Sequence, residues 1–503
     1  MAKRASAFNL ILPAQKPDKQ VCRWLYASVR EEILEGRLRP ARRLPATRDL
    51  AEQYGMARGT IVSAFEQLKS EGYIEGSVGS GTYVSKILPE ELLQVPRAVT
   101  QQASGRKQHR YLSNIGKRLK PFPAFELKPL RAFRANQPAL DLFPMTLWSQ
   151  VTARRLRKVS TNDLLGCPAM GYKPLREAVA EYLGASRGVK CAPAQVAIVS
   201  GVQEALDLVA RLFLNPGDCV CMENPGYIGA ALVFDGIGAK IRGAHLDEDG
   251  LELREASLLG ARLVYVTPGH EFPLGITMTL PRRLQLLEWA RKTGALIFED
   301  DYDSEYRYSG RPVPTLQGLD RNGVVLFAGS FSKVLFPSLR LGYLVIPADL
   351  VDCVAAAKSL STRHAPVLEQ AVLCDFITEG HFGRHLRRMR GVYAERLAVL
   401  LETAKQELAG LLEISSVEAG LQTVGWLRHQ IDGEEAAKAA VARDVEVTPL
   451  SRYSRGRVEQ EGLQLGFAAV NPKELRRGVL ELRNALEGLR ASRTNRAMRP
   501  LSH

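Results

Sequence analysis

Long apolar runs, paired cysteines and acidic charge are what this sequence has least of. No uncharged apolar stretch approaches the ~18–20 residues that cross a bilayer, so no membrane anchor is expected. The opening MAKRASAFNLILPAQKPDK has only a short apolar patch, Phe8 to Pro13, and no small-residue cleavage site, so no export signal is expected. The seven cysteines are odd in number and show no C-x-x-C spacing, which argues against a disulfide framework or a zinc ribbon. They read as free thiols in a reducing cytoplasm, with Cys219 and Cys221 alternating in an apolar strand, and no metal is expected. The hydrophobic share of 46% and charged share of 24% are those of an ordinary globular protein, and 503 residues are too many for one domain.

Acidic residues fall short of basic ones by 14, and the deficit is local. Residues 1–90 hold 14 Lys/Arg against 10 Asp/Glu, and residues 91–135 hold 10 against 2, leaving a net +2 for the remaining 368. That suits a polyanionic partner for the first quarter of the chain, or a solvated basic linker; charge alone does not separate the two.

In that quarter, Cys22, Leu25, Tyr26, Val29 and Ile33 recur at helical spacing, which predicts a helix over about 19–35 ending at Gly36. LPATRDLAEQYG predicts a second, short helix with Thr47 as N-cap and Gly55 just past its end. A third runs from near Arg58 to Gly72, with Ile61, Ala64, Phe65 and Leu68 on its inner face. A short helix, a tight turn and a longer helix make a helix-turn-helix. YIEGSVGSGTYV follows as a hairpin, or wing. From Leu25 to Val84 the chain resembles the GntR-type winged helix. The resemblance implies dimeric binding to paired half-sites of a double-stranded DNA operator, with the third helix in the major groove. It matches Arg48, Arg58 and Thr60 to DNA-contacting positions and Gly79 to the wing glycine, while Gly59 stands where many relatives carry a polar residue.

Residues 86–130 show no sustained periodicity and read as a flexible basic linker, whose KQHR and GKRLK clusters either touch DNA phosphates or merely keep it soluble. From residue 171 onward, apolar runs alternate with helical patterns. The strand candidates are Val196–Ser200, Cys219–Glu223, Leu263–Thr267, Leu296–Glu299, Val325–Gly329 and Tyr343–Ile346. The alternation predicts an α/β fold, a mostly parallel sheet with helices on both faces, whose ligands sit at the carboxyl ends of the strands. There the chemistry falls. Gly201, Val202 and Gln203 open a helix after a strand, Asp300 and Tyr302 follow another, and Ser330 to Lys333 follow the next, with Arg340 beyond. A lysine, a carboxylate and phosphate-binding groups suit a phosphorylated pyridine aldehyde.

ALDLFPMTLW, GYKPLREAVAEYL, VSGVQEALDLVARL, ENPGYIGA, VTPGHEFPLGITM, FEDDYDSEYRY and FSKVLFPSLRLGYL together resemble the fold-type I aminotransferase-like domain of the MocR subfamily of GntR regulators. The implied organisation is a winged helix-turn-helix over 18–85, the linker over 86–130 and an aminotransferase-like domain over 131–490. Within that domain a large part spans about 171–350 and a small part 351–490, and a basic, disordered tail covers 491–503. The resemblance implies pyridoxal 5'-phosphate as cofactor. Lys333 is its Schiff-base lysine, Asp300 faces the pyridine nitrogen, Tyr302 the ring hydroxyl, and Tyr227 stacks on the ring. Ser330 and Arg340, with the backbone of Gly201, Val202 and Gln203, hold the phosphate.

Two stretches depart from the pattern. Phe272-Pro273-Leu274-Gly275 stands where aminotransferases have Asn-Pro-Thr-Gly, removing a hydrogen bond to the ring hydroxyl. Leu165-Gly166-Cys167-Pro168 replaces Tyr-Gly-Asp-Pro, removing a phosphate donor. No arginine aligns with the substrate-carboxylate arginine of aminotransferases; Arg452 is the candidate effector anchor. The expected function is a homodimeric regulator whose cofactor-binding domain senses an amine, an amino acid or the cofactor itself. The alternative is a working aminotransferase with an accessory DNA-binding domain.

Overall fold

The computed structural model describes residues 12, 20–77, 81–88, 111–122, 129–310 and 313–497, in two compact units that divide after Arg110. Among the described residues no helix is long and apolar enough to cross a membrane.

The first unit holds α1 (Val21–Leu34), α2 (Thr47–Tyr54), α3 (Arg58–Ser70) and a hairpin of β1 (Ile74–Ser77) and β2 (Gly81–Val84). The apolar spacing seen in the sequence is the core: Leu25, Val29 and Ile33 of α1 meet Leu50 of α2 and Ile61, Ala64, Phe65 and Leu68 of α3. Gly55 ends α2 in the left-handed region at φ 56°, where a side chain is disfavoured. The N-cap expectation needs correction. Ala46 is the cap, Thr47 is the first helical residue, and no side chain caps the helix. Leu44, buried and bonded through its N–H to Thr82 O at 2.8 Å, pins the chain's entry, and the helical ladder begins with Leu50 N–H on Ala46 O.

The second unit opens with residues expected to be extended linker. Instead Asn114–Arg118 form a short helix, α4, whose cap is the Ser113 hydroxyl accepting from Gly116 N–H at 3.1 Å. Arg118 is bound. Its Nε and Nη2 donate to the carbonyls of Gly236 and Ile237, both at 3.1 Å, so this member of the GKRLK cluster is engaged by protein.

The body is a seven-stranded sheet. In chain order its strands are β3 (Val196–Val199), β4 (Cys219–Glu223), β5 (Lys240–Ala244), β6 (Ala261–Val266), β7 (Leu296–Asp301), β8 (Val325–Ser330) and β9 (Gly342–Val345). The spatial order is β3-β9-β8-β7-β6-β4-β5; only β9 runs antiparallel to its two neighbours. The interior strands, and β3 at one edge, are buried on both faces, which is why they read as continuous apolar runs. Helices α5 (Val202–Phe213), after β3, and α6 (Ile228–Ile237), after β4, pack on each other beside the sheet. A second, four-stranded antiparallel sheet is built from Leu412–Ile414, Gln422–Leu427, Gly462–Gly466 and Thr448–Pro449, in that spatial order. Long helices His381–Glu407 and Pro472–Ala497 pack together beside it. The last of these carries through residues 491–497 of the expected disordered tail, where the chain has neither Gly nor Pro between Gly488 and Pro500.

Candidate functional site

The parallel strands deliver their following residues to one edge of the sheet, where four segments meet. After β3, Gly201 adopts φ 130° and caps α5, exposing the first N–H groups of a 12-residue helix to the edge. A Cβ on Gly201 would lie 3.6 Å from the Arg340 guanidinium nitrogens, so arginine and helix N-terminus face one space. Both carry positive potential, and an anion suits that space. Ser330 ends β8, its hydroxyl accepting from Ser332 N–H at 3.2 Å, and this small cap turns the chain so that Lys333 points inward. Lys333 Nζ donates to the Asn136 carbonyl at 3.0 Å. Desolvation pushes the Lys333 ammonium down to about 8, opposed by Asp303 and Asp300 and reinforced by Arg340. An amine so placed is a nucleophile near neutral pH.

Asp300, on β7, is buried. Its Oδ2 accepts from the Tyr265 hydroxyl at 2.7 Å, while Oδ1 has no hydrogen-bond partner among the described residues. Burial pushes its carboxyl up to about 7, opposed first by the Tyr265 bond. A buried carboxylate oxygen without a donor is costly and calls for an N–H. Tyr227 is the N-cap of α6, with its ring stacked at 6.4 Å from Tyr265. A Cβ on Gly229 would stand 2.5 Å from Tyr227 Cζ and 2.6 Å from Gln203 Oε1, so glycine there lets both side chains lie against the helix start. Gln203 Nε2 reaches Gly229 O at 3.3 Å, leaving its buried Oε1 without a partner among the described residues; Val202 opens the helix beside it. Tyr302 lies just beyond β7, with its hydroxyl 3.0 Å from His270 Nδ1.

The residues from Gly201 to Gln203, with Tyr227, Asp300, Tyr302, Ser330, Lys333 and Arg340, thus stand at one strand edge. Arg452 is placed differently. It is exposed, and its Nε and Nη2 donate to both carboxylate oxygens of Glu434 at 2.8 and 2.7 Å. An effector carboxylate would have to displace that bidentate pair. Its neighbour Tyr453 does reach the site, with its ring 5.0 Å from Phe272, and Phe272 in turn lies edge-on to Tyr227 and Tyr302. In the first unit, Arg48 is exposed on α2, Arg58 is exposed at the first position of α3, and Thr60 is half-buried one turn in; Gly79 lies outside the described residues.

Sequence reasoning did not single out Asn136, Tyr265, His270 or Asp303. His270 and Asp303 stand inside VTPGHEFPLGITM and FEDDYDSEYRY, and their only signal was proximity in sequence to Phe272 and Asp300. Asn136 arrives from far along the chain with φ 62°, and nothing local marks it.

A lysine amine, a buried carboxylate with one oxygen lacking a donor, an aromatic face and a cationic cup fit pyridoxal 5'-phosphate in charge and in hydrogen-bonding capacity. Comparison with known proteins agrees. Residues 133–482 match the model for aminotransferase class I and II, and residues 23–84 match that for bacterial regulatory proteins of the gntR family. The chain is 41% identical to the probable rhizopine catabolism regulatory protein MocR of Rhizobium meliloti, over 94% of this chain and 95% of that one. It is 31% identical to the transcriptional regulator TauR of Rhodobacter capsulatus, over 91% and 95%. Among solved structures it resembles LysN, the α-aminoadipate aminotransferase of Thermus thermophilus complexed with N-(5'-phosphopyridoxyl)-L-leucine. The TM-score is 0.67 and the identity 30%, over 72% of this chain and 92% of that one.

Proposed function

Because the chain belongs to the MocR-type GntR regulators, which join a DNA-binding winged helix to an aminotransferase class I and II body, we propose that it is an operator-binding homodimer whose pyridoxal-phosphate site senses an amine or amino acid. The cofactor supplies an aldehyde that takes primary amines, on a ring that withdraws electrons when its nitrogen is protonated. The protein's residues do the rest. Asp300 Oδ1 accepts from the ring N–H and keeps that proton in place. Arg340, Ser330 and the N–H groups of Gly201, Val202 and Gln203 grip the phosphate. Tyr227 and Phe272 exclude water from the faces of the site. Lys333 presents the amine with which an incoming effector amine competes.

The observation that carries this reading is the unpaired Asp300 Oδ1, buried across the site from the cationic cup. Seams between the two parts of the body run through the site. Gly226 N–H donates to Tyr453 O at 3.0 Å and Leu421 N–H to Asp303 Oδ2 at 3.3 Å, so effector exchange is felt by the small part. The connector is tied in as well. Tyr227 caps one end of α6, and Arg118 holds the carbonyls at the other end, where a cation is favoured. Regulation requires that the effector prefer one arrangement of the body over another, and couplings of this kind are worth ~1–3 kcal/mol.

The test is a DNA-shift titration of cofactor-loaded protein with a panel of amines and amino acids. At least one compound should change operator affinity about 5- to 150-fold, and the change should vanish in Lys333→Ala. Operator affinity indifferent to every compound, with Lys333→Ala indistinguishable from wild type, would refute the sensor reading.

A further inference from the structure

We propose that His270, held by Asp303, is a positioning residue that makes the Tyr302 hydroxyl a hydrogen-bond donor to the ring oxygen of the cofactor. The proposal rests on the cofactor reading above and deepens it.

One nitrogen has two claimants. His270 Nδ1 stands 3.1 and 3.2 Å from the two Asp303 carboxylate oxygens and 3.0 Å from Tyr302 Oη. A ring nitrogen carries either a proton or a lone pair, and the choice decides which way Tyr302 points. If Nδ1 held a lone pair it would take the tyrosine's proton and face the carboxylate lone pairs unprotected. Asp303 is fully buried, so that repulsion has no solvent to relieve it. A proton on Nδ1 instead forms a charge-assisted bond to Asp303, roughly twice as strong as a neutral one. Nε2 is buried with no hydrogen-bond partner among the described residues, which disfavours a second proton there. The neutral tautomer with hydrogen on Nδ1 gives Asp303 its donor and leaves at Nε2 only a lone pair, not a buried N–H. Tyr302 Oη then meets an N–H shared with Asp303 instead of a lone pair, the Gln422 amide approaches it as well, and with no acceptor on Nδ1 its own proton is left to turn towards the site.

The imidazole is fixed in place. Gly275 and Gly420 flank it at φ 84° and 92°; a Cβ on the first would lie 3.0 Å from His270 Nε2, and on the second 2.1 Å from His270 Cε1. Leu421 N–H holds Asp303 Oδ2 from the other side. Phe272, where aminotransferases carry an asparagine, donates nothing, so the aim of Tyr302 decides whether the ring oxygen has a donor. Asp300, Lys333, Arg340 and Glu271, the last held largely protonated by its burial, are the other titratable groups around Tyr302 and the site, and they are common to every variant below.

The experiment is a pH titration of the near-visible absorbance band of loaded full-length protein. Variants are His270→Phe, His270→Asn (whose amide N–H can replace Nδ1–H), Asp303→Asn and Tyr302→Phe. Losing a donor to the ring oxygen makes that oxygen more basic, so the band's midpoint should rise by about one pH unit or more in Tyr302→Phe. His270→Phe and Asp303→Asn should match it, and His270→Asn should sit with wild type. The proposal is overturned if Tyr302→Phe shifts the midpoint while His270→Phe and Asp303→Asn titrate as wild type. It is also overturned if His270→Asn shifts as far as His270→Phe. A wild type with no band at all would overturn the cofactor reading itself. If His270→Phe does not fold, Asp303→Asn decides, because Leu421 N–H keeps the amide oxygen at the Oδ2 position and the amide NH2 at the Oδ1 position then donates to Nδ1, which must carry the lone pair.

Discussion

Lys358 is fully buried, and its ammonium is spent on one carboxylate. Nζ donates to Glu204 Oε1 at 2.7 Å and to the Thr362 hydroxyl at 3.3 Å, while Glu204 Oε2 accepts from Ser200 N–H at 2.6 Å. Glu204 stands in the first turn of α5, one residue beyond Gln203, so this pair fixes the turn that aims the helix N-terminus at the phosphate. Lys358→Met keeps the volume and removes the charge. It leaves Glu204, 12% exposed, as a largely buried carboxylate with the Ser200 N–H and the Thr362 hydroxyl as its remaining donors, and since breaking a fully buried pair costs about 3–5 kcal/mol, the loss here should be about 2–3 kcal/mol. The sign of the pH dependence follows from Glu204. Its own burial opposes ionisation, but the bonds from Lys358 and Ser200 outweigh that and hold its carboxyl below the ordinary value. Stability from such a depressed acid is present above the unfolded pKa and is lost as pH falls through the folded one. The gap between wild type and variant should therefore be widest near pH 7–8 and close towards pH 4, where the orphaned carboxyl neutralises. The assay is urea unfolding of the body across that range, with cofactor affinity measured alongside. Glu204→Gln/Lys358→Met should recover most of the loss. A variant within about 1 kcal/mol of wild type at pH 8, or a gap that grows in acid, would refute the reasoning.

Arg58→Ala should lower operator affinity by about 1–3 kcal/mol and leave binding to random DNA nearly unchanged, measured as a ratio at fixed salt; equal losses on both would contradict a base-reading role. Arg118→Ala should free residues 111–120 from α6, seen as faster proteolysis there, and should shrink the effector's influence on DNA affinity without changing cofactor binding. Burial pushes the carboxyls of Glu299, Asp300 and Glu305 up to about 7, above their unfolded values near 4, so the native body binds more protons between those limits. Its stability should fall as pH rises from 5 to 8, and cofactor binding should flatten the slope by giving Asp300 an N–H partner; calorimetry with and without cofactor reads both.

The strands of the body were legible because a strand buried on both faces, such as Val196–Val199 or Val325–Ser330, leaves a short unbroken apolar run. Lys240–Ala244 escaped for the opposite reason. It is one of the two edge strands and, unlike Val196–Val199 at the other edge, it is not covered: Lys240 and Arg242 are exposed, and KIRGA carries no such run. The direction of a strand leaves no trace in composition, so nothing local marked Gly342–Val345 as the antiparallel member. In the first unit the spacing of Ile61, Ala64, Phe65 and Leu68 located α3 closely, whereas the start of α2 depended on Leu44 docking against the hairpin, which is tertiary. The site residues attached to strand ends could be named in advance because strand ends were visible. Asn136, His270 and Asp303 could not, because what brings them to Lys333 and Tyr302 is the path of the backbone. The partner of Arg452, Glu434, stands 18 residues away, and no local pattern announced it.

The central claim is that the amine of Lys333 is the one that takes the cofactor's aldehyde. Protein incubated with pyridoxal 5'-phosphate, reduced with borohydride, digested and mapped by mass spectrometry reads this directly. The account predicts one stoichiometric phosphopyridoxyl mass on the peptide containing Lys333, absent from Lys333→Ala. Label spread over surface lysines, or settled on a different lysine in both proteins, would contradict it.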